Sequence, residues 1–241
     1  MSPIPILHRD DHLVAVHKPA GLLVHRTTID ARETRFLLQL VRDQIGQPVS
    51  PVHRLDKGTS GIVVFALHAE AARRLTAMFG DGGVRKTYLA IVRGWAPASC
   101  RIDHPLRDLG DRLARRQVVE RRAARSVLRC LARIELPAPV GRYATARYSL
   151  VACRPRTGRQ HQVRRHLKHL RHPVIGDVNY GDGAHNRFFR DLGVGRLLLA
   201  ASRLRFIHPF STAPVSVAAP LEESFAAVLR WPHWQPVALR P

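Results

Sequence analysis

The sequence predicts an α+β fold, because strand-like and helix-like segments alternate along one chain. Apolar, β-branched runs bounded by turn residues indicate strands, as at Ile62–Leu67. Segments with apolar residues at helical spacing indicate helices, as at Ala69–Phe79. The chain has 241 residues, of which 45% are hydrophobic. This is compatible with one domain, residues 1–241, with a sizeable buried core.

The N-terminal part predicts two strands and a helix. Two short apolar runs, Ile4–Leu7 and Leu13–His17, are separated by charged turn residues and indicate two strands joined by a turn. Asp30, with Glu33 three residues later, forms a start similar to a capping box. Apolar residues at helical spacing follow until Gly46, where the helix should stop.

The next segment predicts a strand, a helix and another strand. Ile62–Leu67 is apolar enough for a buried strand, and the helix Ala69–Phe79 should end at Gly80. Lys86–Val92 alternates in polarity, which predicts a strand and places Tyr88 within a sheet. Taken alone, Tyr88 fits a core tyrosine whose hydroxyl reaches the surface.

Residues 96–141 show weak periodicity and several prolines, so we expect an insertion or connector there, not a second domain. The basic run Arg112–Arg125 within it is either a solvated face or an RNA contact. Regular patterns then return. They predict a strand at Ala144–Cys153 and a helix at Gln160–Leu170. A turn at Pro173–Asp177 and a strand at Leu197–Ile207 should follow.

The charge predicts a polyanionic partner. Lys and Arg number 39 against 18 Asp and Glu, a formal net charge of +21. Binding a polyphosphate releases its counterions, so such a charge adds affinity for RNA that does not depend on sequence. A membrane is the weaker candidate, because the chain has no apolar run of about 20 residues.

Cysteine usage favours a cytoplasmic protein. Cys100, Cys130 and Cys153 are odd in number, widely spaced and form no Cys-x-x-Cys pair. A disulfide framework and a cysteine zinc site are therefore not expected. The N-terminus reaches Asp10 before any long apolar region, which argues against a secretory signal.

Charged and turn-forming residues stand directly before the strand at Ile62. Asp56 has Arg54 two residues before it and Lys57 one after it, and positive charge on both sides favours an ionised carboxylate, the form a nucleophile or base needs. By itself, this pattern fits a salt-bridged turn aspartate better than a catalytic one, because structural ion pairs are commoner than active sites.

The stretch His53-Arg54-Leu55-Asp56, followed by Thr59-Ser60-Gly61, resembles the catalytic motif of the RluA-type pseudouridine synthases, in which the aspartate is the catalytic residue. Three other segments resemble the family, in its order, at residues 10–25, 86–94 and 157–181. The resemblance covers nearly the whole chain. It implies the pseudouridine synthase fold, with a mixed, mainly antiparallel central sheet flanked by helices and loops, and no S4-like RNA-binding domain before the catalytic one.

The resemblance implies an isomerase that acts on RNA. Such an enzyme breaks the bond from uracil N1 to the ribose and rejoins the ring through C5. The product is an isomer of the substrate, so no cofactor or energy source is expected. The target base must leave the stack, which costs a few kcal/mol. RNA is the expected partner, and we expect a monomer.

Three catalytic residues follow from the resemblance. Asp56 acts at the ribose or base, either as nucleophile or as the base that removes a sugar proton, and the sequence leaves both roles open. Tyr88 stacks on the uracil, and assistance in removing the C5 proton is a second role open to it. Arg164 is the salt-bridge partner of the catalytic aspartate, whereas without the resemblance it fits a solvent-facing arginine of a basic helix.

Five further residues are expected to bind RNA. Arg54 enters the stack in place of the flipped base, and Leu199 lines the pocket. Lys57, Arg159 and Arg165 complete the expected RNA-binding set. Two positions depart from the family pattern, which has an arginine at Lys57 and a histidine directly after Leu199, where alanine stands here.

A metal site is not expected, although four histidines lie close together in sequence at His161, His166, His169 and His172. They lack the His-Glu-x-x-His arrangement, and no carboxylate lies among them. Seven Arg or Lys residues between 154 and 171 would repel a cation.

Further segments resemble the tRNA-directed members of the family, which modify uridine 65 near the end of the T stem. They are His25-Arg26 with Ile29-Asp30, residues 42–47, 141–143 and 164–167, and Asn186-Arg187-x-Phe189. We therefore predict tRNA as the substrate. The alternatives are an rRNA-directed synthase, an RNA-binding protein without catalysis, and a glycosidase that releases free uracil.

Overall fold

The computed structural model describes residues 3–26, 33–107 and 120–238, which form two compact units. The first unit contains the described residues up to Thr87 together with Leu199–Glu223. The second contains Tyr88–Leu198 and the described residues from Ser224 onwards. The expectation of one catalytic domain stays a prediction. No helix in the described ranges is long and apolar enough to cross a bilayer.

The regular elements are five helices and thirteen strands among the described residues. In chain order they are β1 (Ile6–Arg9), β2 (Leu13–Lys18), α1 (Leu37–Ile45), β3 (Ser50–Pro51), β4 (Ser60–Ala66), α2 (Ala69–Gly80), β5 (Arg85–Arg93), β6 (Ser99–Asp103), β7 (Leu106–Arg107), β8 (Arg121–Arg122), β9 (Arg125–Leu136), β10 (Ala146–Pro155), α3 (Gln162–His169), α4 (Gly183–Asp191), β11 (Leu199–Ile207), β12 (Pro214–Ala218), α5 (Glu223–Leu229) and β13 (Gln235–Pro236).

In the first unit, β4 is the central strand and is buried along its whole length. Antiparallel β2 covers one of its edges, and β1 pairs antiparallel with β2. On the other edge, β3 pairs antiparallel near Phe65, while β11 pairs in parallel, with Ala200 opposite Ser60 and Ala201 opposite Gly61. β12 completes this sheet against β11. The predicted α+β class with a mixed, mainly antiparallel sheet is confirmed.

Helix α2 packs on this sheet through one face. Ala71, Leu75 and Phe79, four residues apart, are its buried residues. At its start, the His68 side chain accepts a hydrogen bond from the Ala71 N–H. Helix α1 ends as predicted at Gly46, which is left-handed at φ +73°. The expected cap at Asp30 lies outside the described residues.

Gly61 allows β4 and β11 to approach each other. Its φ is +114°, and a Cβ at this position would collide with the backbone carbonyl of Ala201. A side chain here would therefore meet rigid backbone as well as an unfavourable conformation. The glycine of the Thr-Ser-Gly sequence after the Asp56 loop is therefore needed for this close contact between strands.

We expect Gly61→Ala to lower the free energy of unfolding by about 2–5 kcal/mol. This is the sum of the energetic cost of a left-handed conformation and the cost of an overpacked contact. Gly46→Ala is the matched control. Gly46 also has a positive φ, of +73°, but a Cβ there meets nothing within 4 Å. The control should lose only about 1–2 kcal/mol in urea denaturation. Equal losses in the two variants would contradict the proposed steric role of Gly61.

The second unit has an antiparallel sheet built on the long β9–β10 pair. β5 pairs with β10 on the edge away from β9. On the edge of β9 away from β10, β6 pairs with Arg125–Arg129 and β13 pairs with Ala132 and Arg133.

The segment expected to be an insertion or connector, residues 96–141, contains β6, β7, β8 and β9 among its described residues, and these strands were not predicted. Basic residues on the outer face of β9, at Arg125 and Arg129, interrupt its apolar pattern, and a register shift opposite Leu150 changes the period.

Helix α4 has no counterpart among the sequence predictions. It is only nine residues long, and its buried residues are His185 and Phe189. Asp182 begins it by accepting the N–H groups of Ala184 and His185 at 3.0 and 3.4 Å. β12 and α5 were also not predicted, whereas α3 was predicted but begins two residues later, at Gln162.

Candidate active site

Asp56 lies in the loop between β3 and β4 and is half-buried, at the mouth of a buried strand as predicted. The Thr59 N–H donates to the Asp56 carbonyl at 3.0 Å, which closes a tight turn. Leu55 is buried beside it and Arg54 is exposed. The loop therefore fixes the backbone of Asp56 while its charged neighbour reaches solvent.

A buried lysine, Lys18, anchors the loop that contains Asp56. Lys18 is fully buried, and its ammonium donates to the carbonyl oxygens of Pro19 and Leu22 at 2.8 and 2.6 Å. A third bond, at 3.1 Å, goes to the carbonyl oxygen of Lys57, the residue after Asp56. Three acceptors compensate the loss of hydration of one buried cation and fasten the loop to the end of β2.

His53 anchors the start of the loop in its neutral form. Its Nε2 accepts the Val64 N–H at 3.1 Å, and its ring stacks on Phe79 at 4.4 Å. Burial, and secondarily the charge of Lys86, lowers the pKa of His53 to about 3. A protonated Nε2 could not accept this hydrogen bond, so the geometry and the lowered pKa agree.

This lowered pKa predicts a pH dependence of stability. Because the folded-state pKa lies below the ordinary value, the His53 contribution is complete above about pH 6.5 and is lost as pH falls from there towards 3. Between pH 7.5 and 5 it should account for a loss of about 2 kcal/mol in the free energy of unfolding. In urea titrations over this pH range, the free energy of unfolding of His53→Gln should fall by about 2 kcal/mol less than that of the wild type. A wild-type slope in this variant would refute the assignment.

Lys57 forms an ion pair on the outside of the same loop. Its Nζ lies 2.7 Å from a carboxylate oxygen of Glu33, and both side chains are about two-fifths exposed, at 42% and 41%. An exposed pair of this kind adds at most about 1 kcal/mol of stability. The ion pair therefore affects the shape of the loop surface more than the stability of the fold.

Leu199 belongs to the same unit as the Asp56 loop. It is the first residue of β11 and is 2% exposed. The next residue, Ala200, pairs with Ser60 of β4. The first unit thus brings together Arg54, Asp56, Lys57 and Leu199 around the start of β4.

The second unit contains Tyr88, Arg159, Arg164 and Arg165. Tyr88 lies on β5 as predicted, opposite Cys153 of β10, and is half-buried. Arg159 is exposed and donates from Nε to the Ala123 carbonyl at 3.1 Å. The predicted salt bridge between Arg164 and Asp56 stays a prediction.

Arg164 is buried on α3 and forms a bidentate ion pair with Asp177. The Nε–Oδ2 and Nη2–Oδ1 distances are 2.7 and 2.8 Å, and the two side chains are 7% and 0% exposed. The Arg164 guanidinium also lies over the Tyr180 ring, 5.1 Å from its centroid. Arg164 therefore does not face solvent, and its plane is fixed by the protein.

Asp177 is held as an anion by a set of donors. Burial raises the pKa of this carboxyl, but the Arg164 guanidinium and the N–H groups of Tyr180 and Asn179 outweigh burial and lower the pKa. Asn186 supports the loop by accepting the Gly176 N–H at 2.7 Å and donating to the Asp177 carbonyl at 2.9 Å. The turn after α3 is therefore a rigid support for Arg164.

The start of α3 is fixed through Gln162. Its Oε1 accepts the Thr157 hydroxyl and the Arg159 N–H at 2.7 and 3.0 Å. Its Nε2 donates to the Arg125 carbonyl and the Ser126 hydroxyl at 2.9 and 3.1 Å. A single amide thus joins the Thr-Gly-Arg turn to β9.

The histidines near α3 make structural contacts. His166 bonds the Ser126 hydroxyl and the His104 carbonyl at 2.9 and 3.1 Å, and His172 bonds the Arg93 carbonyl at 2.9 Å. Within the described ranges, no three His, Cys, Asp or Glu side chains are placed to hold a metal ion. Sequence reasoning missed the roles of Lys18 and Asp177, although both lie in segments that resemble the family.

A comparison with protein families covers the segment that contains Asp56. The family described as RNA pseudouridylate synthase matches residues 12–169, about two-thirds of the chain, including the Asp56 loop, Tyr88 and Arg164. The chain belongs to this family. It is accordingly an isomerase that converts uridine in RNA to pseudouridine, and RNA is its substrate.

Relatives extend the match over almost the whole chain. It is 47% identical over 236 residues to tRNA pseudouridine synthase C of Vibrio cholerae, covering 96% of this chain and 97% of that one. It is 44% identical over 238 residues to tRNA pseudouridine synthase C of Haemophilus influenzae, covering 97% and 100%. The resemblance to RluA-type enzymes is confirmed.

Solved structures of two human family members match the fold. Human RNA Pseudouridylate Synthase Domain Containing 1 has a TM-score of 0.72 at 27% identity, covering 100% of this chain and 94% of that one. Human RNA Pseudouridylate Synthase Domain Containing 4 has a TM-score of 0.70 at 26% identity, covering 93% and 91%. The predicted pseudouridine synthase fold is confirmed.

Proposed function

We propose that this enzyme isomerises one uridine of tRNA, uridine 65 near the end of the T stem. The observation that carries the proposal is the 47% identity, over 96% of the chain, to an enzyme named tRNA pseudouridine synthase C. The family's chemistry needs only RNA, so the fine specificity must come from the surface around the catalytic loop. We place the enzyme in the cytoplasm, as a monomer.

In the proposed mechanism, Asp56 attacks the ribose or removes a sugar proton. The bond from C1′ to N1 breaks, the uracil turns, and a bond from C1′ to C5 forms. If Asp56 acts as nucleophile, this last step breaks its bond to the ribose; if it acts as base, it returns the sugar proton. C5 then loses its proton and N1 gains one, so atoms and electrons balance without a cofactor. The Lys18 contacts to the loop backbone support this role, because they fix Asp56 before substrate arrives.

We assign Arg164 to the Asp56 carboxylate as an orienting partner. Its two bonds to Asp177 use Nε and Nη2, so Asp177 aligns the guanidinium plane. A planar cation held in this way is preorganised for a second carboxylate. Tyr88, on a paired strand, is assigned to stack on the uracil, and Leu199 to line the pocket.

The remaining residues are assigned to the RNA. Arg54 is exposed on the Asp56 loop and is long enough to fill the gap that a flipped base leaves in the stack. Lys57, Arg159 and Arg165 supply positive charge for backbone phosphates. The net charge of +21 supports binding that is mainly to phosphate.

The test uses purified protein with unmodified tRNA, unmodified 23S rRNA and EDTA, followed by chemical location of pseudouridine. Pseudouridine at position 65 of tRNA is expected. Modification confined to rRNA would overturn the tRNA assignment and keep the chemistry. Free uracil as the product would indicate a glycosidase, and loss of activity in EDTA would contradict a mechanism without metal.

A substitution separates the two roles open to Tyr88. Tyr88→Phe keeps an aromatic face and removes only the hydroxyl. If the hydroxyl assists proton removal at C5, the rate constant should fall by roughly 10²-fold with little change in RNA affinity. Tyr88→Leu, the control, should weaken RNA binding as well. Full activity of Tyr88→Phe would limit the tyrosine to stacking.

A further inference from the structure

Helix α3 is too short to fix its own position in the protein. It has eight residues, Gln162–His169, which form about two turns. A helix of this length is not stable in isolation, so its position depends on contacts with the rest of the fold. Because α3 carries Arg164, the contacts that hold the helix also decide where the Arg164 side chain starts.

One buried hydroxyl of β9, that of Ser126, contacts both turns of α3. Ser126 is 1% exposed. Its oxygen accepts a hydrogen bond from Nε2 of Gln162 at 3.1 Å and also bonds Nδ1 of His166 at 2.9 Å. Gln162 and His166 are four residues apart, so they lie on the same face of the helix in successive turns. A single oxygen thus holds α3 at two points.

The partners of His166 assign the protons of this network. Nε2 of His166 lies 3.1 Å from the carbonyl oxygen of His104, which can only accept, so Nε2 carries a proton. Burial, partly opposed by this bond to His104, lowers the pKa of His166 and favours the neutral ring. Nδ1 is then an acceptor, and the Ser126 hydroxyl donates to it.

Arg164 lies on the opposite side of α3 from these contacts. It is two residues from both Gln162 and His166, which places it about 200° around the helix axis from each. There it forms the bidentate pair with Asp177. The Ser126 contacts on one side and the Asp177 pair on the other side therefore oppose rotation of the helix about its axis.

Ser126 also contacts the strand residue that is paired with Tyr88. Cys153 of β10 lies directly opposite Tyr88 of β5, so their side chains are on the same face of the sheet. Burial raises the pKa of the Cys153 thiol to about 12, so the thiol is protonated, and it forms a hydrogen bond with Ser126. The surroundings of Ser126 thus include the neighbours of both Arg164 and Tyr88.

We propose that Ser126 is a positioning residue for the reaction, which acts through His166 by fixing the orientation of α3 and hence of Arg164. The proposal rests on the proposed function, because it takes Arg164 as the orienting partner of the Asp56 carboxylate. Ser126 is buried and is assigned no contact with RNA. Its loss should therefore slow the chemical step and leave RNA affinity nearly unchanged.

The first test compares Ser126→Ala with Ser149→Ala, a matched control in the same unit. Ser149 is buried on β10, and its hydroxyl also makes two hydrogen bonds, to the Gly94 carbonyl at 2.8 Å and from the Ala96 N–H at 3.0 Å. Urea denaturation should show similar losses of stability in the two variants, since each loses a buried hydroxyl with its bonds.

Only Ser126→Ala should lower the single-turnover rate constant at saturating tRNA, by roughly 10- to 100-fold, because a small displacement of Arg164 misaligns it with Asp56. The Kd for unmodified tRNA should stay close to the wild-type value in both variants. Equal rate constants in the two variants would overturn the proposal, because any effect of Ser126 would then be one of general stability.

The second test separates the two bonds of the His166 ring. His166→Asn places an amide near the position of Nδ1, where its oxygen can accept from the Ser126 hydroxyl. His166→Gln places an amide near Nε2, where it can bond only the His104 carbonyl. The rate constant should be clearly higher in His166→Asn than in His166→Gln. An equal or reversed order would contradict a route through the bond to Ser126.

A double-mutant cycle separates failure of this proposal from failure of the proposed function. If Ser126 acts through Arg164, Ser126→Ala should lower the rate constant much less in an Arg164→Lys background than in the wild type. Full additivity, with Arg164→Lys itself impaired, would overturn the proposal and keep the role of Arg164. Wild-type activity of Arg164→Lys would overturn both. Modification at a uridine other than 65 would overturn only the target, because all variants are compared on the same RNA.

Discussion

Asp56→Asn is expected to lower pseudouridine formation by at least roughly 10²–10⁴-fold, the range for loss of a positioned base or nucleophile. The amide keeps the shape of the side chain but has neither the charge nor the basicity of a carboxylate. RNA affinity should change little, because binding depends mainly on phosphate contacts. Release of tritium from C5 of labelled uridine in tRNA measures the rate in a single turnover.

Asp43→Asn is the matched control for this substitution. Asp43 is paired with Arg42 at 2.8 Å, and its side chain is 64% exposed near the end of α1. The same chemical change there should leave the rate, RNA affinity and stability near wild type. Substantial turnover by Asp56→Asn, with full folding confirmed by urea denaturation, would remove Asp56 from the catalytic role.

Asp177→Asn is expected to have the largest effect on stability. It leaves the buried Arg164 guanidinium without its anionic partner, and loss of one member of a buried pair lowers the free energy of unfolding by about 3–5 kcal/mol. Activity should fall as well, because the plane of Arg164 is no longer fixed. Urea denaturation and single-turnover rates measure the two effects separately.

The control is Asp103→Asn in the same unit. Asp103 pairs with Arg125 at 3.1 Å, but the two side chains are 64% and 66% exposed, so its loss should cost less than about 1 kcal/mol. Arg164→Lys provides a second variant, which keeps one charge but loses the bidentate geometry. Wild-type kcat in a folded Arg164→Lys protein would show that the orientation of this cation does not matter for the reaction.

Local patterns were sufficient for much of the fold. The run Ile62–Leu67 predicted the buried strand β4, and apolar residues at helical spacing predicted the helix α2. Both depend on the period of apolar residues, which is set by backbone geometry. The same method failed for β9, because arginines on its exposed face concealed a strand that is buried on one side only.

The residues of the candidate site also differ in how far the sequence predicted them. The position of Asp56 in a turn before β4 followed from its neighbours in sequence, and the family match agrees with it. The function of Lys18 did not follow, because it depends on three carbonyl oxygens that converge on its ammonium only in the folded chain. That convergence joins segments up to 39 residues apart in the chain.

The sequence by itself determined the α+β class, the family, the place of the Asp56 turn before β4 and the need for a polyanionic partner, since each depends on local pattern or total charge. Only the tertiary structure decided that Arg164 is buried against Asp177, that Gly61 must lie against the Ala201 carbonyl, and that one hydroxyl of β9 bonds both turns of α3. The physical reason is that burial, ion pairing and steric contact depend on distances between residues remote in sequence, which no local pattern specifies.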